Sequence, residues 1–369
     1  MMILRSEAPS LAGFLLFGVF LYIGDLIKPD NIGLGPSLLV LLVLFSVMMW
    51  CAFSVVRHAE CLATVLGEPY GTLILTLAVI GIEVALIAAV MLSGDAKPTL
   101  ARDTMFSVVM IVLNGLVGLS LLVGGLKHKN QTYNLQGANA FLSVLIPLSI
   151  LALVLPRFTD SAPGGELSTL QAVFDVIMAV VLYGVFLAIQ TKTHSDIFIQ
   201  PHAEAGSDGH GHHNLKIRSI PFHVAGLLLS LLPIILMSKM LALYVDFGIT
   251  ALGAPLALSG FFVAALILMP EGMSAIQSAL ENQLQRAVNI CLGSALATIG
   301  LTVPAVLAIS WATGEPIELG LETTEIVMLL LTLFVSVLTF ASRQTSYLQG
   351  AVHLSLFAAY VMMIFDLAG

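Results

Sequence analysis

The stretch Leu34–Val56, LGPSLLVLLVLFSVMMWCAFSVV, runs 23 residues without a charged side chain. A helix rises about 1.5 Å per residue, so this length reaches across a hydrocarbon layer about 30 Å thick. The pattern recurs along the chain. Apolar windows bounded by charge, glycine and proline predict spans at Leu11–Leu26, Leu34–Val56, Tyr70–Leu92, Thr104–Leu126, Leu135–Leu155, Leu170–Gln190, Ile220–Tyr244, Thr250–Ile276, Ala287–Trp311, Ile326–Phe340 and Tyr347–Phe365. Composition agrees: 58% of the 369 residues are hydrophobic, 10% are charged, and the mean hydropathy is +1.02. A soluble domain carries about 25% charged residues. The chain is therefore expected to be an all-α polytopic membrane protein with about eleven transmembrane helices. A water-soluble enzyme with one core and a disordered chain are both excluded. The first span follows Arg5 and has no small-residue cleavage pattern near Gly24 and Asp25, so it is expected to be a retained helix.

The net charge is −8 and the 14 Lys and Arg are scattered, so nothing forms a nucleic-acid-binding surface. Cys51, Cys61 and Cys291 lie in or beside apolar segments at no metal-ligand spacing and read as small buried hydrophobes. With the N-terminus placed in the cytoplasm and the spans alternating, the inner side holds Arg5, Arg57, Lys127, Lys129, Lys192, Lys216, Arg218, Arg286 and Arg343. The outer side holds Lys28, Lys97, Arg102 and Arg157. Nine against four predicts an inner N-terminus and an outer C-terminus. The acidic outer loop from Glu315 to Glu325 faces cations or simply solvent.

The longest polar stretch, Thr191–Ser219, divides the chain. The expected organisation is an N-terminal helix in 1–33, a five-helix repeat in 34–190, a His-rich cytoplasmic loop in 191–219 and a second five-helix repeat in 220–369. Five spans per unit would invert the second repeat relative to the first. Leu170-Gln171-Ala172 recurs as Leu348-Gln349-Gly350, and Gly118-Leu119-Ser120 as Gly300-Leu301-Thr302, both at equivalent places. A longer match, Gln131–Ala138 against Gln344–Ala351, would pair the fifth span with the eleventh. It reads as coincidence or as a shared helix-start sequence.

An ionisable group at mid-bilayer is costly and by default functional. Glu83 lies well inside the third span and Glu271 inside the eighth, 188 residues apart, each in the second helix of its repeat. An inverted repeat would set the two carboxylates face to face near the midplane. No basic residue in those helices neutralises them. Two facing carboxylates in low dielectric take up protons or bind a cation, which is the chemistry of cation/proton exchange. Pro270 and Gly272 flank Glu271, so freed carbonyls could add oxygen ligands. Calcium accepts 6–8 oxygens in flexible geometry.

Gly67–Leu77 running into Ile82–Ile87 resembles the first repeat motif of bacterial calcium/proton antiporters of the ChaA type. Pro270-Glu271-Gly272, Glu281–Asn289 and Leu292–Pro304 resemble the second. These antiporters belong to the cation/calcium exchanger superfamily, and the resemblance covers nearly the whole chain. It implies that Glu83 and Glu271 alternately bind cation and protons, that Asn114 and Ser294 line the site, and that the protein sits in a bacterial inner (plasma) membrane. The transported Ca2+ (or Na+/K+) and H+ would be its only small partners, with no cofactor and no nucleic acid; membrane lipid surrounds it. The chain departs from the family where Val79-Ile80-Gly81-Ile82-Glu83 and Ile267-Leu268-Met269-Pro270-Glu271 replace the Gly-Asn-x-x-Glu pattern, and where Ala297 replaces a glutamine. With fewer side-chain oxygens, sodium or potassium stays open as the substrate.

Asn114 in mid-span reads as an ion ligand or as a bridge between helices. Ser294 and Thr298, one turn apart, line a site or permit close packing. Asn282, Gln283 and Gln285 beside Arg286 form an inner mouth or cap a helix. Glu68 gathers cations or stabilises a helix start. His194, His202, His210, His212 and His213 with Glu204 and Asp208 bind metal weakly or form a solvated linker. Asp175 and His353 are expected to be a polar scaffold contact, and Lys239 to snorkel. The chain has no P-loop, no His-Glu-x-x-His, no arginine ladder and no Thr-Val-Gly-Tyr-Gly filter. The expected function is a secondary antiporter exporting calcium for protons, with a sodium or potassium/proton exchanger as its rival and a passive cation channel behind it. No nucleophile and base converge within the spans, so no enzyme is expected.

Overall fold

The computed structural model describes residues 7–67, 70–91, 98–160, 163–201, 217–255 and 257–366. Glu68 and, of the His-rich loop group, His202, Glu204, Asp208, His210, His212 and His213 lie outside these. The helices are α1 Ala8–Ile23, α2 Leu34–Leu66, α3 Tyr70–Met91, α4 Leu100–His128, α5 Leu135–Phe158, α6 Thr169–Thr193, α7 Ile220–Ala251, α8 Leu258–Leu280, α9 Leu284–Thr313, α10 Thr323–Thr339 and α11 Tyr347–Asp366. Among the described residues α2, α4 to α9 and α11 are long and apolar enough to cross a membrane, and α1 and α10 are shorter apolar helices. Helices suit this setting because they satisfy every backbone amide within one segment. Many large apolar side chains, such as Leu15, Leu39, Leu170, Leu228 and Phe334, point outward, as a surface solvated by lipid requires.

Three predicted boundaries move most. α2 continues ten residues past Val56 to Leu66, because Arg57 and His58 find polar partners instead of ending the helix. α7 runs to Ala251, and α8 opens at Leu258 rather than Thr250. The break between them holds Gly253 at φ 63°, a left-handed conformation that glycine adopts without strain. Side chains mark other ends. Ser168 and Gln171 form a capping box on α6, Glu322 and Glu325 one on α10, and Asn134 caps α5.

The helices form two compact units. The first holds α1, α2, α3, α7 and α8 through Pro270. The second holds α4, α5, α6, α8 from Glu271, α9, α10 and most of α11. In the first unit, α2 and α7 pack side by side through Leu44, Met48, Val55, Ile234, Met237 and Leu241. The start of α7 meets the late part of α2, where His223 touches His58, so the two run antiparallel. α1 lies along them, with Ser10, Gly13 and Phe20 meeting Ser230, Pro233 and Tyr244 of α7 in turn. Gly13 approaches Cys51 and Pro233 so closely that a Cβ would meet them at 2.9 and 2.6 Å. Phe20 packs edge-on against Tyr244, whose hydroxyl donates to the Ile27 carbonyl. α3 adds Ala78, Ile82 and Leu86 to the same core, and α8 adds Leu266 and Ile267.

In the second unit, one end gathers Arg157, which pairs with Glu322 at 2.8 Å, and Arg102, which donates to the Gly320 carbonyl. The other end gathers the end of α4, where Lys127 and His128 donate to the Leu280 carbonyl. There the strands β1, Gln131–Thr132, and β2, Gln344–Thr345, pair antiparallel with Gln131 opposite Thr345. These strands are the repeated segments of the sequence, and each leads directly into a helix. The second half of α4 also lies against the first half of α9, and the end of α5 meets the start of α10. α4 also lies against α11 along glycines. A Cβ on Gly350 would fall 2.4 Å from the Leu122 amide nitrogen, and one on Gly125 would fall 2.7 Å from that of Tyr347. Such contacts between backbones are the main adhesive between helices in lipid.

Gly350→Val forces these backbones apart and is expected to lower the melting temperature of the detergent-solubilised protein by several degrees. Gly18→Val, with nothing within 4 Å of the new Cβ, leaves it unchanged. Tryptophan fluorescence on heating measures both.

Candidate functional site

Glu271 sits on α8 between Pro270 and Gly272. Pro270 has no backbone N–H, so the carbonyl of Leu266 one turn earlier loses its usual donor. Gly272 lets α8 come against α4, since a Cβ there would lie 2.7 Å from a methyl of Leu116. Ser294 of α9 donates its hydroxyl to Glu271 Oε2 at 2.6 Å. That short bond to a carboxylate is the one side-chain hydrogen bond to Glu271 among the described residues. Cys291, one turn before Ser294, is buried beside the same carboxylate.

Both α4 and α9 widen into π-turns here, at Ile111–Leu116 and Thr298–Thr302. A π-turn inserts one extra residue and is frequent at functional positions. Asn114 lies in the first and is fully buried. Its amide nitrogen donates to Thr332 Oγ1 of α10 at 2.7 Å, and its oxygen lies 3.3 Å from Nδ1 of His353 on α11. His353 Nε2 is 2.9 Å from Thr339 Oγ1. Asn114 therefore does bridge helices, with one lone pair of its oxygen left over. Thr298 opens the second π-turn and is 1% exposed. Glu83 belongs to the first unit, on α3 beside the core residues Ile82 and Leu86, and is itself 1% exposed.

The structure thus brings Glu271 and Ser294 into contact and joins Asn114 to Thr332 and His353. It gives other candidates local duties. Asn282, at φ 61°, turns the chain between α8 and α9 and accepts from Gln131 at 3.1 Å. Gln285 accepts from the Asn134 amide and donates to Asn289, which holds the Phe198 carbonyl. These side chains fasten a turn. The expected contact between Asp175 and His353 is not formed. Asp175 lines a small, otherwise apolar cavity with Leu148, Ala152, Met178, Ile299 and Val303, while His353 turns to Asn114. The three cysteines are free and buried. Sequence reasoning overlooked Thr332, which looks like an ordinary hydroxyl in an apolar helix, and a cluster of Glu7, His58 and His223 in the first unit.

The profile of the sodium/calcium exchanger protein family matches residues 36–192 and 222–365. The chain is 46% identical over 315 residues to the sodium-potassium/proton antiporter ChaA of Escherichia coli, covering 85% of each protein. It is 42% identical to the ionic transporter y4hA of Sinorhizobium fredii, covering 89% of each. The crystal structure of the Ca2+/H+ antiporter protein YfkE superposes with a TM-score of 0.72 at 20% identity, over 96% of this chain and 98% of that one. The chain belongs to the sodium/calcium exchanger protein family, a family of membrane cation exchangers, and is of the ChaA type.

Ser294→Ala removes the donor to Glu271. A hydrogen bond to a charged group is worth about 1.5–3 kcal/mol. Cation KM in vesicle transport assays is expected to rise about 10-fold, with the maximal rate held within about 3-fold, and Ser294→Thr to restore it.

Proposed function

We propose that the protein is a secondary antiporter in which Glu83 and Glu271 hold, in turn, a metal cation and protons. The observation that carries this reading is Glu271 itself, a membrane carboxylate with a short serine hydrogen bond and no Lys, Arg or His paired to it among the described residues. Such a group needs a counter-charge, and a cation or a proton each supplies one. Glu83 is the equivalent residue 188 positions earlier. The π-turns begin 187 residues apart, at Ile111 and Thr298, which supports the same internal correspondence.

The antiparallel contacts of α2 with α7, α4 with α9 and α5 with α10 support an inverted repeat, because these are the first, third and fourth helices of each half. Alternating access in such folds is movement of one repeat against the other around a fixed site. Eleven spans, an inner N-terminus and a bacterial inner membrane complete the proposal, supported by the bias of nine basic residues against four.

Calcium is the first candidate ion, because two carboxylates neutralise a divalent cation and two protons equally well. A second candidate is favoured by a specific observation. The relative at 46% identity is a sodium-potassium/proton antiporter, and Ala297 supplies no side-chain oxygen beside Thr298. The test is proton flux in proteoliposomes under an imposed pH gradient, with calcium, sodium, potassium or magnesium added in turn. Collapse of the gradient by calcium alone establishes calcium/proton exchange, and collapse by sodium or potassium alone assigns the second reading. Cation movement that ignores the proton gradient would make the protein a channel.

Glu83→Gln and Glu271→Gln are each expected to cut exchange by about 100-fold or more while the protein stays folded and inserted. Wild-type rates in either variant contradict the assignment.

A further inference from the structure

Where α1 begins, three elements of the first unit meet through polar side chains. Glu7, just before α1, places Oε2 3.0 Å from His58 Nε2 of α2 and Oε1 3.4 Å from an Arg57 guanidinium nitrogen. His58 Nδ1 lies 3.0 Å from His223 Nδ1 of α7. The backbone N–H of Arg218 donates to His223 Nε2 at 2.9 Å. Both rings are buried, His58 to 1% exposure and His223 to 3%. Gly226 makes room for the His58 ring, since a Cβ there would lie 2.3 Å from it.

The bonds fix the protons. A backbone N–H only donates, so His223 Nε2 is bare and its hydrogen sits on Nδ1. That hydrogen goes to His58 Nδ1, so the His58 hydrogen sits on Nε2 and goes to the Glu7 carboxylate. Arg57, 3.1 Å from the same His58 nitrogen, donates instead to Glu7 and to Ser54 Oγ at 3.1 Å. Ser54 also accepts from Ser230 of α7 at 2.9 Å, and Ser230 is 2.8 Å from Ser10 of α1. The network therefore runs from α7 through α2 to the start of α1, and it is complete when both imidazoles are neutral.

One more proton does not fit. On His223 it sets an N–H against the Arg218 N–H. On His58 it sets two N–H groups head to head at the 3.0 Å contact. The charged groups facing the pair among the described residues are Glu7 ahead of α1, Arg57 on α2 and Arg218 ahead of α7. Two are positive, so an added positive charge is repelled, and the Glu7 carboxylate is drawn between the new charge and Arg57.

We propose that the His58–His223 pair is a proton-binding site separate from the membrane carboxylates, and that a proton bound there parts the start of α7 from α2 while Glu7 stays on His58. The bonds are intact above the ordinary imidazole value of about 6.5 and are lost as pH falls below it. The site would make the packing of the first unit depend on the ion that the antiporter exchanges.

The test is hydrogen–deuterium exchange of the purified full-length protein in detergent, following residues 220–235 from pH 8 to pH 5 after correction for the chemical exchange rate. No cation gradient is needed, so the result stands whether or not Glu83 and Glu271 carry transport. Exchange in the first half of α7 is expected to rise about 10-fold in acid. The double variant His58→Gln, His223→Asn keeps an amide oxygen and N–H groups in place of the ring atoms but binds no proton, and should exchange equally at both ends of the range. Glu7→Gln removes the one negative charge facing the pair and should move the midpoint to lower pH by about one unit. No acid-induced rise in the wild type, an equal rise in the double variant, or an unmoved midpoint in Glu7→Gln overturns the proposal.

Discussion

Inside a bilayer a backbone amide finds no water, and each must bond within its own segment or be sheltered by protein. Two of the departures from regular helix, in α4 and α9, occur where that shelter is dense. The π-turn at Ile111–Leu116 has its first four residues buried, and the one at Thr298–Thr302 all but Leu301. Pro270, which removes an amide outright, comes one residue before the carboxylate of α8. Irregular backbone and ionisable side chains are thus spent together, in the one place where each helps the other. In the exchange proposed above, a freed carbonyl adds oxygen beside the Glu271 carboxylate, and the widened turns hold Asn114 and Thr298 in the interior.

The same economy governs contact between helices. Lipid tails are as apolar as leucine, so helix association rests on close packing and hydrogen bonds. The second unit uses glycine for the first, along Gly118, Gly125 and Gly350, and the chain of Thr332, Asn114, His353 and Thr339 for the second. That chain holds α4, α10 and α11 in one arrangement and fixes the Asn114 amide from two sides. A side chain clamped from two sides keeps its orientation relative to both neighbouring helices.

The fold was largely legible because its signal is long. Twenty-odd uncharged residues have few readings, and all eleven predicted windows coincide with helices. Glu83 and Glu271 were legible for a related reason, since a lone carboxylate in such a window stands out. Polar residues near helix ends were not. His58 follows the predicted end of its span and His223 lies near the start of another, so each looks like an interfacial side chain. Only the 165-residue separation closed by folding shows them in contact. Asn282 and Gln285 misled in the opposite way. They read as an inner mouth, but a left-handed φ and bonds to Gln131 and Asn134 make them fasteners of a turn. Asp175 and His353 show the limit of a weak repeat, which suggested a pairing that the helix faces do not allow.

The π-turns have an evolutionary corollary. A helix with one surplus residue in a turn can lose it and still span the membrane, since the turn relaxes to ordinary α-helix. Such a deletion in 111–116 or 298–302 would rotate everything on one side of it by about 100° relative to the other. The helix would survive, while the side chains offered to its neighbours would be replaced at a stroke. Length variation by a single residue is normally ruinous within a membrane helix. Here it is a route by which relatives of this chain can exchange one set of ligands for another without rebuilding the scaffold.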